Sequence, residues 1–103
     1  MKSIMKVVFL AILAASTTAA VAQSAADNYK SKCAMCHGPD GAAATPAGKA
    51  MQTPPVTSPA FAKASDAELL AILKNGKAKM PSYTGKLTDE QMKALVTYMR
   101  SLK

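Results

Sequence analysis

Cysteine, histidine and aromatic residues are scarce in this chain. Its 103 residues hold two cysteines, one histidine, no tryptophan and two phenylalanines. Two cysteines three positions apart cannot build the multiple disulfides that staple many small exported domains. A single disulfide across so short a loop would stabilise little. Beyond Cys33, Cys36 and His37 there is no thiol or imidazole left for the four-ligand shell of a closed zinc site. Without tryptophan, and with Arg100 as the sole arginine, the chain lacks the usual equipment of a nucleic-acid surface. Strand-type alternation is also missing, which removes the βαβ setting of a thiol–disulfide exchange site. The one long apolar run, residues 7–15, falls short of the about 20 residues needed to span a bilayer.

That apolar run belongs to a different kind of signal. Lys2 and Lys6 precede it, and Ala20-Val21-Ala22 follows with the small-x-small pattern of a signal-peptidase site. Residues 1–22 read as a signal peptide and residues 23–103 as one exported domain, which points to a bacterial periplasm and to no stable membrane insertion after cleavage. Without Lys2 and Lys6 the thirteen basic residues fall to eleven against six acidic ones, a net charge of +5. A domain this small has a marginal core and needs a staple.

The scarce residues that do occur are gathered in one place, Cys33-Ala34-Met35-Cys36-His37. Cys-x-x-Cys-His is the attachment signature of a c-type haem. Two thiols one helical turn apart can bond the two vinyl groups of one porphyrin, and the histidine that follows is brought under the iron. Cys33 and Cys36 are therefore the candidate covalent anchors of one haem c, and His37 a candidate axial ligand. The buried group would supply the staple that the disulfides do not.

Around that motif every signal is helical, so an all-α fold is expected. Residues 24–33 predict a helix capped by Ser24, with Ala25, Tyr29 and Cys33 on one face. Residues 38–64 are rich in alanine, glycine and proline and read as a long loop wrapped around a ligand, with Phe61 and Met51 most able to pack on it and a helical turn near 59–64. A carbonyl near Pro46 is the candidate partner for the second ring nitrogen of His37. Ser65 and Glu68 form a capping box before the apolar face of Leu69, Leu70, Ile72 and Leu73, and Asn75-Gly76 ends that helix. Thr88 and Gln91 form a second box, flanked by a Leu87–Met92 staple. Met92, Leu95, Val96, Met99 and Leu102 then follow one buried stripe, with Tyr98 beside it and able to meet Tyr29.

For the opposite face of the iron, the chain after the signal offers five thioethers. Met92 and Met99 are explained by the stripe, since methionine is by default core filler. Met35 lies inside the attachment turn and cannot reach across the ring. Met80 sits in Lys79-Met80-Pro81, a loop between two helices with no helical face to fill, and is the favoured donor. Met51 is its competitor. Thioether ligation favours ferrous iron and raises the potential.

With Tyr29, Cys33 to His37 with Gly38, Lys79-Met80-Pro81, and the closing helix carrying Leu95 and Tyr98, the chain resembles the class I cytochromes c in their small bacterial single-haem form. The resemblance covers essentially all of residues 23–103. It implies about three to five short helices around one covalently bound haem, the first and last of them crossing. It further implies thioether bonds from Cys33 and Cys36, axial ligation by His37 and Met80, and one-electron transfer. Ala25 stands where such proteins commonly have glycine, which allows a slightly wider crossing.

The expected function is thus an electron carrier and not an enzyme, since both iron faces would be taken. Lys32, Lys49, Lys77, Lys79 and Lys86 are candidates for a ring that steers acidic redox partners, and a diffusing carrier is expected to be a monomer. The rival is a haem sensor or peroxidase whose methionine leaves, although no second histidine exists for acid–base work. A colourless thiol oxidoreductase is a third class.

Overall fold

The computed structural model describes residues 24–102. The signal segment read at residues 1–22 lies outside the described residues. Among the described residues six helices follow one another: α1 at 24–32, α2 at Ala34–His37, α3 at Pro46–Ala50, α4 at Pro59–Lys63, α5 at Asp66–Asn75 and α6 at Asp89–Ser101. Among the described residues there is no strand, only isolated bridges pairing Lys77 with Met80 and Thr84 with Leu87. The all-α expectation holds.

Helix α6 carries the core because both its start and its stripe are well specified. Thr88 Oγ1 accepts from the Gln91 backbone N–H at 3.1 Å, and Gln91 Oε1 accepts from the Thr88 N–H at 2.8 Å. Leu87 and Met92, the staple pair, are both buried, and Leu95, Val96 and Met99 continue the stripe inward. Each such side chain withdrawn from water contributes roughly 1.5–3 kcal/mol. Helix α1 meets α6 through its aromatic residue: the Tyr29 and Tyr98 rings lie 5.2 Å apart at 49°. Ala25, Tyr29 and Cys33 line one buried face, as their four-residue spacing predicts. Ser24 is already helical and so is not the cap of α1.

Helix α5 packs along α6. Ser65 caps it by accepting from the Glu68 N–H at 3.1 Å, but Glu68 returns no bond, so the expected box is half made. Gly76 closes the helix at φ +77°, and a Cβ there would sit 2.7 Å from the Met80 carbonyl oxygen, so glycine is required. Arg100 ties α6 to the α4–α5 corner: its Nε meets Asp66 Oδ1 at 2.6 Å, its Nη2 donates to the Ala64 carbonyl at 2.6 Å, and its guanidinium lies 5.6 Å from the Phe61 ring centroid.

The stretch 38–64 is more structured than its composition suggests. Two short helices interrupt it, each with proline at its first position and a hydroxyl cap before it. Thr45 accepts from the Gly48 N–H at 2.9 Å, and Ser58 from the Phe61 N–H at 3.3 Å. Helix α4 is the expected turn near 59–64, whereas α3 was not expected.

Candidate functional site

The attachment motif is split between two elements by a break in the helix. At Cys33 the backbone turns, with the His37 N–H bonding the Cys33 carbonyl at 2.9 Å and that of Cys36 reaching the same oxygen at 3.3 Å. Both cysteines are free; Cys33 is buried in the core cluster and Cys36 half-buried. Burial pushes the Cys33 thiol up to about 11, partly opposed by Lys32. A reactive exchange cysteine needs a lowered value, so Cys33 is poorly suited to be the nucleophile of a thiol oxidoreductase.

His37 ends α2, and Gly38 at φ +79° turns the chain away behind it. Burial lowers the pKa of the imidazole and so favours the neutral form that a metal ligand requires. Its Nδ1 is buried without a hydrogen-bond partner among the described residues, so the carbonyl near Pro46 does not fill that role. A buried unpartnered ring nitrogen is costly in a purely structural histidine.

The turn is braced from two sides. The Tyr29 hydroxyl donates to the Gly38 carbonyl at 2.6 Å. From α3, Thr45 Oγ1 donates to the Met35 carbonyl at 2.6 Å, and Gly48 packs so tightly that a Cβ there would lie 2.8 Å from the Ala43 carbonyl and closer still to that of Cys36. Residues 43–48 of the long segment thus pack directly against the attachment turn.

Of the candidate thioethers, Met80 is half-buried and packs against the core cluster that contains Cys33. Its loop is pinned: the N–H groups of Lys77 and Met80 bond each other's carbonyls at 3.1 and 2.9 Å. Ser82 and Thr84 hydroxyls both donate to the Lys74 carbonyl, the latter at 2.7 Å. Met51 is 48% exposed, and Met35 76%, so neither is held toward the core. Phe61 packs on the core cluster, while Met51 is exposed.

Sequence reasoning missed Thr45, Gly48 and Tyr83. The Thr-Pro pair at 45–46 is a legible helix start, which would have placed Thr45. Tyr83 donates its hydroxyl to the Lys32 carbonyl at 3.0 Å, a partner fifty-one positions away that no local pattern announces. Burial and the nearby Cys33 and Cys36 raise its pKa.

An all-helical chain with two free thiols and, on the same turn, a half-buried imidazole whose Nδ1 has no partner has the donor set of a c-type cytochrome. The solved structure of the KustC0563 c-type cytochrome is similar to it, with a TM-score of 0.69 and 31% identity over 76% of this chain and 95% of that one. No curated protein matches significantly. Residues 20–99 match the model of the family described as cytochrome c oxidase, cbb3-type, subunit III, and the chain belongs to that family of c-type cytochrome domains. Membership implies haem c as cofactor, electron transfer as function and redox proteins as partners. Among the described residues no helix is long and apolar enough to cross a membrane.

Proposed function

We propose that this chain is a periplasmic electron carrier, not an enzyme, holding a single haem c attached through Cys33 and Cys36 with His37 and Met80 as axial ligands. The observation that carries the reading is the pairing of a half-buried His37, whose buried Nδ1 is unpartnered, with a Met80 packed on the core cluster that contains Cys33. Haem c, when bound, supplies an iron that alternates between ferrous and ferric.

The protein's own share is binding, orientation and exclusion of water. Cys33 and Cys36 fix the group to the α1–α2 break. Tyr29 and Thr45 hold that break rigid, which limits how far His37 can move as the iron charge changes. Met80, on a pinned loop, closes the second face, so no substrate has an open position to occupy. Residues 1–22 serve as the export signal and residues 23–103 as the carrier domain, working as a monomer on partners with acidic docking surfaces.

The test is a visible spectrum of the exported, haem-loaded protein, oxidised and then reduced. The expected result is a c-type spectrum with the weak red band of methionine-bound ferric haem, lost in Met80→Ala and kept in Met51→Ala. A c-type spectrum with no such band in the unaltered protein would overturn the Met80 assignment and put the open-iron sensor or peroxidase in its place.

A further inference from the structure

The break between α1 and α2 exposes a carbonyl that is answered from far along the chain. In a continuous helix the Cys36 N–H would bond the carbonyl of Lys32, four residues back. Here it turns to Cys33, and the Tyr83 hydroxyl donates to Lys32 instead, at 3.0 Å. Lys32 directly precedes the first anchoring cysteine, and Tyr83 lies three residues after Met80.

The other ties of this loop run elsewhere. The Tyr83 N–H bonds the Leu73 carbonyl at 2.8 Å, and Ser82 and Thr84 both bond Lys74, so all three fasten the loop to the end of α5. Among the hydrogen bonds of the described residues, the Tyr83 hydroxyl alone joins the loop 76–87 to the attachment turn. Lys86 Nζ covers the outer side of the ring, 5.9 Å from its centroid. Without the hydroxyl the loop keeps its hinge on α5 and loses its fastening at the opposite edge.

We propose that Tyr83 is a positioning residue that latches the Met80 loop to the attachment turn and so sets how readily Met80 gives way to an outside ligand. The inference rests on the His37 and Met80 ligation proposed above. An exchanging ligand needs the loop to swing out, and the hydrogen bond between Tyr83 and Lys32 opposes that swing. Lost in a solvent-accessible place, one neutral hydrogen bond changes such an opening equilibrium by about three- to tenfold.

Tyr83→Phe keeps the packed ring and removes only the donor. In the haem-loaded protein, imidazole should bind the ferric form about three- to tenfold more tightly than it binds the unaltered protein. Amide hydrogen exchange at Lys77 and Met80, whose N–H groups close the loop on itself, should quicken by a similar factor, with Leu95 and Met99 in α6 unchanged. Ser65→Ala is the control: it removes the cap at the end of α5 away from the loop, and should lower stability while leaving imidazole affinity unaltered. Unaltered imidazole affinity and loop exchange in Tyr83→Phe would overturn the latch, as would an equal gain in Ser65→Ala, which would mark general loosening. Absence of the methionine band in the unaltered protein sinks the ligation itself, and that is seen before any variant is made.

Discussion

Tyr29 is the residue on which packing, hydrogen bonding and ionisation converge. It is 1% exposed, its ring meets Tyr98, and its hydroxyl donates to a buried carbonyl at 2.6 Å. Burial first, then the neighbouring Cys33, Tyr98 and Asp40, push its pKa up to about 12. The folded chain therefore keeps this proton at pH values where an unfolded tyrosine, near 10, has lost it. Its contribution is complete below about pH 10 and drains away as pH rises through about 12, on the order of 3 kcal/mol in all. Tyr29→Phe should cost about 1 kcal/mol at neutral pH through the lost hydrogen bond, and should flatten the decline between about pH 10 and 12. Denaturant titrations of both proteins across that range check both expectations, and a parallel decline would show that Tyr29 is not its source. The position of Tyr29 was legible from its spacing to Cys33. The acceptor was not, because Gly38 is brought back to it by a left-handed turn at φ +79°. Among the methionines, the absence of a helical face separated Met80 from Met92 and Met99, whereas exposure, which separates it from Met51, exists only in the folded chain.

At the scale of elements, the two long helices start from similar sequences and finish with unequal caps. Ser65 with Glu68 and Thr88 with Gln91 have the same spacing, yet only Gln91 reaches back to its cap. Thr88→Ala should cost about 1 kcal/mol, as loss of an N-cap usually does. Gln91→Ala should be measurably destabilising because it frees the Thr88 N–H, while Glu68→Ala should stay within about 0.5 kcal/mol of neutral, as exposed substitutions generally do. Thermal unfolding of the three variants decides it; equal costs for Glu68→Ala and Gln91→Ala would mean that the return bond contributes nothing. The spacing rule identified both helix starts because the cap donor is local. It did not tell which box closes, since a flexible exposed glutamate has water as an alternative partner. Helix α3 escaped for a related reason: a five-residue helix has no periodic face to read, and what holds it is Thr45 and Gly48 against the backbone of α2.

At the scale of the molecule, charge is the property that sequence states and structure localises. The chain carries thirteen basic residues against six acidic ones. Among the described residues, the ion pairs are Lys74 with Asp89 and Arg100 with Asp66. Lys32, Lys49, Lys77, Lys79 and Lys86 are all exposed and take no part in them. Three of these sit around the Met80 loop, and a fourth, Lys32, is linked to that loop through Tyr83, whose ring Lys86 covers. Lys77, Lys79 and Lys86 thus lie in the same loop as Met80, and Lys32 directly precedes Cys33, so a field of positive charge is gathered near both. Such a field raises the encounter rate with anions and lowers it with cations, and salt erodes both effects. Oxidation of the ferrous protein by ferricyanide should therefore be fast at low ionic strength and slow as salt is added, while a tricationic cobalt complex should show the reverse trend. Reversing Lys79 and Lys86 to glutamate should cut the ferricyanide rate about tenfold or more at low salt and narrow the gap between the two oxidants. Reversing Lys63 and Lys93, on α4 and α6, keeps the same net charge as that variant and should change the rates far less. Equal effects from the two pairs would mean that the whole molecule's charge, and no local docking surface, attracts the partner.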